Sequence, residues 1–215
     1  MDKKHQFNND YPSVTRILDL LRKPGLEYWF KNNTLEFITT ESNKGKEIGK
    51  DIHNTIQRFI NTGTISVFSD YEEEVNTALK SFLLFKNVHS NIELSMSELA
   101  LTSETYKYNG IIDCTARKGD KLIILDWKTG KCGSQKRPKI YDEYKYQVAA
   151  YVKLFNDSNV EQVEEAIVVS IAKDSPAFDC YVMNKEEIES HFNNVILPLL
   201  TIYKHKPKEK YEPRN

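Results

Sequence analysis

Tyr108-Asn-Gly-Ile-Ile-Asp113-Cys-Thr-Ala-Arg-Lys118, then Gly119-Asp120, then Lys121-Leu-Ile-Ile-Leu-Asp126-Trp-Lys128-Thr-Gly130, is the stretch whose reading decides the fold. A two-residue Gly-Asp loop between β-like runs signals a hairpin, because glycine adopts positive φ without steric cost. With Lys118 paired to Lys121, counting back along both strands sets Asp113 directly opposite Asp126. The strand period of two puts Lys128 on the same face as Asp126. Facing carboxylates repel, and a fold tolerates them mainly when something positive lies between them. Two acids and a lysine converging on one spot suggest a divalent-metal site with a built-in ammonium. Strand acids are ordinarily solvated, but Leu122-Ile-Ile-Leu125 is apolar on both faces and marks a central, buried strand. A buried carboxylate is costly unless it is paired or bound to metal.

The chain has 215 residues, of which 28% are charged and 40% hydrophobic, with a net charge of −1. Such a length suits one core, so one domain over residues 1–215 is expected. Its parts would be a helical region (11–90), a sheet core with the site (91–183), and a last helix with a basic tail (184–215). No apolar stretch approaches the roughly 20 residues that span a bilayer, and the first ten residues lack the apolar region of a signal peptide. A cytoplasmic protein without membrane association is expected. Cys114, Cys132 and Cys180 are odd in number and widely spaced, which argues against a disulfide framework, a zinc site or a four-cysteine cluster. No global basic field advertises nucleic acid, but Lys131, Lys136, Arg137 and Lys139 follow Lys128 without an intervening acid. The tail holds Lys204, Lys206, Lys208, Lys210 and Arg214. Basic stripes beside an acidic metal site suit a phosphodiester substrate, although such stripes also occur as solvated loops.

Along the chain, Pro12-Ser13 opens a short capped helix that stops near Pro24-Gly25, and residues 26–31 form a second, aromatic-rich one with Tyr28 and Trp29. Ile48, Ile52, Ile56, Phe59 and Ile60 give an amphipathic helix over 45–61, and 71–87 another, with an acidic first turn. Residues 92–102 alternate, with Leu94, Met96, Glu98 and Ala100 on one face, which points Glu98 inward. After the hairpin come a helix over 141–156, strands at 163–172 and 178–183, and a helix from the Asn184/Glu187 capping box to about Lys204, kinked or split by Pro198. That order predicts an α/β fold with a mixed central sheet of about five strands flanked by helices. Gly49 and His53 stack on one helical face, where the glycine permits close approach of another element. Gln147 and Tyr151 share a face in the same way. His5, His89, His191 and His205 carry no such pattern.

Gly49-xxx-His53, Glu98, Gly110-Ile-Ile-Asp113, Asp126-Trp-Lys128 and Gln147-xxx-Tyr151, in this order, resemble the RecB-type exonuclease branch of the PD-(D/E)XK nuclease superfamily. Tyr11-Pro-Ser-Val-Thr-Arg-Ile-Leu18 and the overall size are similar to phage-encoded exonucleases and the mitochondrial genome maintenance exonuclease. The match covers roughly residues 11 to 155; each motif is weak alone, and together they are specific. The resemblance implies a restriction-endonuclease-like core and a role in replication, recombination or repair. It makes Asp113, Asp126 and His53 metal ligands, with the Trp127 carbonyl completing the shell. Lys128 becomes the catalytic lysine, Gln147 and Tyr151 its supports, and Glu98 a second-metal ligand. Ser13 and Thr15 of the opening motif join Lys131, Lys136, Arg137 and Lys139 as candidate DNA contacts. Several relatives hold an iron–sulfur cluster through four cysteines that are missing here, so no cluster is expected.

Hard oxygen ligands suit Mg²⁺ or Mn²⁺, and the imidazole tilts the choice toward Mn²⁺. The expected activity is a metal-dependent deoxyribonuclease, an exonuclease on single-stranded DNA or free ends. A structure-specific or restriction-like endonuclease is the nearest alternative. A DNA-binding protein on a catalytically dead nuclease scaffold and a structural Ca²⁺ clip are the readings from other classes. No helicase motif accompanies the site, which leaves room for a separate helicase, recombinase or single-strand-binding protein. The Asn- and Lys-rich composition fits a phage-infected or low-GC bacterial cell.

Overall fold

The structure, a computed structural model, describes residues 7–206. One mixed sheet runs in the order β1 (Ile92–Ser103), β2 (Tyr108–Lys118), β3 (Lys121–Gly130), β4 (Glu165–Ala172) and β5 (Phe178–Met183). Only β3 and β4 are parallel, and the connection between them is α5 (Asp142–Ser158). The α/β class and the five strands match the expectation. Helices α1 (Val14–Leu18), α2 (Pro24–Lys31), α3 (Leu35–Thr62) and α4 (Glu72–Val88) precede the sheet. After β5 come α6 (Lys185–His191), a π-helical turn at Phe192–Ile196 and α7 (Leu197–His205).

The double-sided apolar run of β3 has a direct structural cause. Ile124 faces a core built with α1, α5 and the C-terminal helices, through Ile17, Val148, Val168 and Phe192. Ile123 and Leu125 face a second core under α3 and α4, with Ile52, Phe82 and Trp127. Both faces of a strand flanked by a parallel neighbour are thus covered, and the alternation of polar and apolar residues disappears. The basic tail beyond Lys206 and the first six residues lie outside the described residues, as does His5.

The hairpin turn is Gly119-Asp120, with Gly119 at φ +61°, and the expected register holds from Lys118↔Lys121 to Cys114↔Leu125. There the ladder ends, one step short of pairing Asp113 with Asp126, so the direct opposition fails. The reason is a slip in strand alternation. Cys114 and Ala116 face the core under α3 and α4, whereas Ile112, two residues back, faces the α5 side. Asp113 is the residue at which the two faces exchange. β1 carries matching irregularities: its register shifts at Ser95, and Glu98 takes φ +53° between the pairs Ser97↔Cys114 and Leu99↔Ile112. These breaks also undo the inward placement of Glu98. It is exposed, and Met96 on the same stretch is 51% exposed.

Other differences have local causes. α3 starts ten residues earlier than the apolar pattern indicates, because Thr34 caps it by accepting the Phe37 N–H while no core residue appears before Ile48. Ser13 caps α1, and Asn184 with Glu187 forms the expected capping box. Pro198 divides the C-terminal helix, and the π-helical turn just before it absorbs the mismatch.

Two predictions follow from the packing. A Cβ on Gly110 would lie 2.7 Å from Leu154 Cδ2 and 2.9 Å from Tyr151 Cε1, both buried on α5. Gly110→Ala is expected to cost about 1–3 kcal/mol by overpacking; an unchanged urea midpoint would contradict the close approach. Burial pushes the Cys114 thiol up to about 12, so the fold favours the protonated form. That contribution is intact below the usual thiol range and is lost as pH rises through the window toward 12. At pH 8 a thiol-exchange reagent should leave Cys114 unmodified until urea unfolds the chain.

Candidate active site

Four elements meet at the break in the sheet. β3 contributes Asp126, Trp127 and Lys128; β2 contributes Asp113; β1 contributes Glu98; and α3 brings His53 from above. Asp126 has no solvent exposure. Lys128 Nζ lies 2.6 Å from Asp126 Oδ2, as the shared strand face requires. The contact nevertheless lacks hydrogen-bond geometry, and both Asp126 carboxylate oxygens are buried without a hydrogen-bond partner. Asp113 Oδ2 accepts the Trp127 backbone N–H at 2.9 Å and stands 3.7 Å from His53 Nδ1. The alternation slip at Asp113 therefore turns its carboxylate onto the backbone of β3. Trp127 is held rigidly, its indole edge-to-face with Phe82 and Phe85 at 5.4 and 5.7 Å.

The electrostatics follow from burial. Desolvation drives Asp126 up to about 7 against the attraction of Lys128, with the charge of Asp113 adding to the rise. Burial also raises Asp113, opposed by Lys128 and the Trp127 N–H. For Lys128 burial acts downward, but Asp126 and then Asp113 more than offset it and hold the ammonium above its ordinary value. His53 is lowered by burial and by the Lys128 charge, which keeps its imidazole neutral near pH 7 and available as a ligand.

Gln147 Nε2 donates to the Tyr151 hydroxyl at 2.7 Å on α5, beside the Asp126–Lys128 pair, and burial raises the Tyr151 phenol. Tyr144, one turn earlier, was not singled out for the site by the sequence. The Lys128 ammonium lies 5.3 Å from its ring centroid, a cation–π contact. Its i−3 spacing from Gln147 is the only sequence signal that points to it. Glu98 reaches the site from the rim, where His53, Gln57, Glu98, Asp113 and Trp127 help line a small cavity of about 10 Å³, room for one water-sized particle. At Gly49 a Cβ would meet Thr129 Oγ1 at 3.5 Å, an ordinary contact, so the protein's own packing does not demand glycine there.

The candidate DNA contacts divide. Ser13 Oγ caps α1 through the Arg16 N–H and bonds the Thr15 hydroxyl at 2.9 Å, so both side chains have local structural partners. Lys131 and Lys136 are exposed. Arg137 pairs with Asp179 at 3.4 Å, and Lys139 lies over the Tyr141 ring at 4.8 Å.

Buried carboxylate oxygens without partners, a neutral imidazole and a nearby backbone carbonyl form a donor set suited to a hard or borderline divalent cation. Among the described residues, however, no three His, Cys, Asp or Glu side chains converge as a preformed metal cluster. The physical reason is pairwise engagement: Lys128 sits against Asp126, and the Trp127 N–H holds Asp113.

A mixed five-stranded sheet with two acids and a lysine at its break, a helix-borne histidine and a Gln-xxx-Tyr helix is the PD-(D/E)XK nuclease layout of the RecB type. Within that class, the chain is similar to the mitochondrial genome maintenance exonuclease 1 of Xenopus tropicalis, 26% identical over 97% of this chain and 61% of the relative. It is also similar to the Mus musculus protein of that name, 28% identical over 89% of this chain and 58% of the relative. The chain thus spans about three fifths of the length of these curated relatives. A crystal structure of an alkaline exonuclease from Laribacter hongkongensis aligns over 91% of this chain and 92% of that one, with 14% identity and a TM-score of 0.40. No family model matches the chain. Among the described residues, no helix is long and apolar enough to cross a membrane.

The crowding of carboxylates predicts a stability effect. Asp113→Asn keeps an acceptor for the Trp127 N–H while removing one charge from the buried group. In EDTA its urea midpoint is expected at or above that of the unaltered protein; a clearly lower midpoint would show that the Asp113 charge itself stabilises the fold.

Proposed function

We propose that the protein is a metal-dependent DNA nuclease, an exonuclease acting on single-stranded DNA or free ends. One observation carries this reading: a fully buried Asp126 with both oxygens unpartnered, a lysine ammonium 2.6 Å away and a second carboxylate beside it. A purely structural ion pair would satisfy those oxygens, because an unmet buried acceptor costs about 1–3 kcal/mol. The relatives named as exonucleases support the same reading.

Asp113, Asp126, His53 and the Trp127 carbonyl would hold Mg²⁺ or Mn²⁺. When bound, such an ion supplies a Lewis acid for the phosphodiester and a bound water of lowered pKa. The protein's own groups do the remainder. Lys128, kept charged by the two carboxylates, offsets the negative charge that grows on the phosphate oxygens and orients the attacking water. Tyr144 and the Gln147–Tyr151 pair confine the lysine to one position, so little reorganisation is needed at the moment of reaction. Glu98 at the rim stands where it faces an incoming backbone and contributes to cation binding from the open side. Lys131, Lys136, Arg137 and Lys139 supply positive charge for the strand beyond the scissile bond, and a separate helicase, recombinase or single-strand-binding protein would deliver the end.

The test compares the unaltered protein with Asp126→Ala and Lys128→Ala on linear and circular single-stranded DNA, with Mg²⁺, Mn²⁺ or EDTA. Each substitution, and EDTA, is expected to reduce cleavage of the linear substrate by at least about 10²-fold, the scale of losing one group that stabilises transition-state charge. Circular DNA should survive. Activity persisting in both variants would end the nuclease reading, and cleavage of the circle would replace exonuclease by endonuclease.

A further inference from the structure

The C-terminal ends of the two parallel strands carry a second arrangement, separate from the catalytic acids. β3 ends at Gly130 opposite Ala172 of β4, and the pairing continues one step, with the Lys173 N–H donating to the Gly130 carbonyl at 3.0 Å. The residues that follow the last pair are Lys131 and Lys173, side by side. Their backbones are fixed from several directions. Asp174 accepts the N–H groups of Cys132 and Gly133 at 2.9 and 3.0 Å, tying the loop after β3 to the turn after β4. That turn is closed by the Ala172 N–H on the Ala177 carbonyl at 3.0 Å, and the fully buried Ser81 hydroxyl donates to the Ala172 carbonyl at 2.9 Å.

Two ammonium groups held side by side repel, and the fold does not neutralise them. Among the described residues neither Lys131 nor Lys173 forms an ion pair, and Glu74, the acid on the facing end of α4, is already paired with Lys44 at 3.1 Å. Burial and then the charge of Lys131 lower the Lys173 ammonium from its ordinary value, which is consistent with the two cations lying close. Held like charges of this kind are relieved by an anion between them. The carboxyl ends of strands in an open α/β sheet are also where ligands enter. From Lys128 to Lys131 is about 10 Å of extended chain, so one polynucleotide strand can lie over both positions.

We propose that Lys131 and Lys173 together hold a single phosphate group of the DNA backbone, on the same strand as the phosphate at Asp126 and Lys128. The assignment rests on the nucleic-acid part of the proposed function, and Lys173 is the residue it adds. Two lysines on one phosphate act as a unit, which separates them from independent surface contacts.

The experiment measures binding of a fluorescent single-stranded oligonucleotide by anisotropy, in EDTA so that turnover plays no part. It uses the full chain and its Lys131→Gln, Lys173→Gln, double, Lys173→Met and Lys173→Arg variants. Each Gln variant is expected to weaken binding about 5- to 10-fold and to reduce the salt slope by about 0.7, the value for one phosphate contact on a single strand. The double variant should be little worse than either single one, and Lys173→Arg should restore affinity. Lys173→Met, which keeps the apolar stem, should match Lys173→Gln in binding and the unaltered protein in thermal midpoint. Unchanged affinity in Lys173→Gln, or losses that multiply in the double variant, would overturn the shared-phosphate assignment. Protection by inorganic phosphate alone, with DNA binding unaffected by the variants, would make it a free-anion site and equally overturn the proposal. Binding through these lysines without any cleavage in Mg²⁺ or Mn²⁺ would remove the catalytic reading and leave this one standing. Normal cleavage with unaffected binding would do the reverse.

Discussion

Asp126 is a carboxylate with no access to water at the centre of a five-stranded sheet, and the arrangement around it follows from that constraint. Desolvating a carboxylate is costly, and a buried pair recovers the cost only with good geometry and further hydrogen bonds. Lys128 supplies charge at 2.6 Å but no satisfactory hydrogen bond, so the site retains an unmet demand for positive charge. The two cores hold Asp126 in place regardless: Leu125 and Trp127 pack under α3 and α4, while Ile124 packs under α5. Stability lies in the apolar neighbours, and the polar centre is kept in a state that a cation improves.

The break in the sheet gives this buried centre a way out to solvent. If β2 had kept its alternation, Asp113 would have paired across from Asp126 and continued the ladder. Instead Asp113 turns onto the Trp127 N–H, and Glu98 opposite it takes a left-handed backbone conformation. A non-glycine residue in that region costs on the order of 1–2 kcal/mol. Bulges of this kind re-aim side chains and end pairing next to active sites. Here the paired irregularities of β1 and β2 open the rim at which His53 descends from α3, so that four elements share one point.

These irregularities also mark where sequence reasoning stops. The hairpin turn, the strand order and the convergence of Asp126 and Lys128 were legible because Gly119-Asp120 and a period of two determine them locally. The pairing of Asp113 with Asp126 was not, since a slip in alternation depends on two strands breaking together and leaves no mark in either one alone. Glu98 was misplaced for the same reason. The early start of α3 was hidden because its first ten residues carry a cap but no buried side chain. Tyr144 escaped notice because an aromatic on a helix stripe reads as core, and only the three-dimensional position of Lys128 gives it another partner.

The order of charge along β3 ties the parts together. The strand runs from apolar Ile123–Leu125 through buried Asp126 to half-buried Lys128 and then to exposed Lys131, so sign and solvation change together along one extended segment. A phosphodiester approaching from the carboxyl end of the strand meets mobile positive charge first, then a confined ammonium, then carboxylates that accept a cation but repel the phosphate. Such a gradient draws the backbone in and halts it at the depth where Lys128 and the acids meet. Reversing the order, with the acids outermost, would repel the same substrate before any group could act on it.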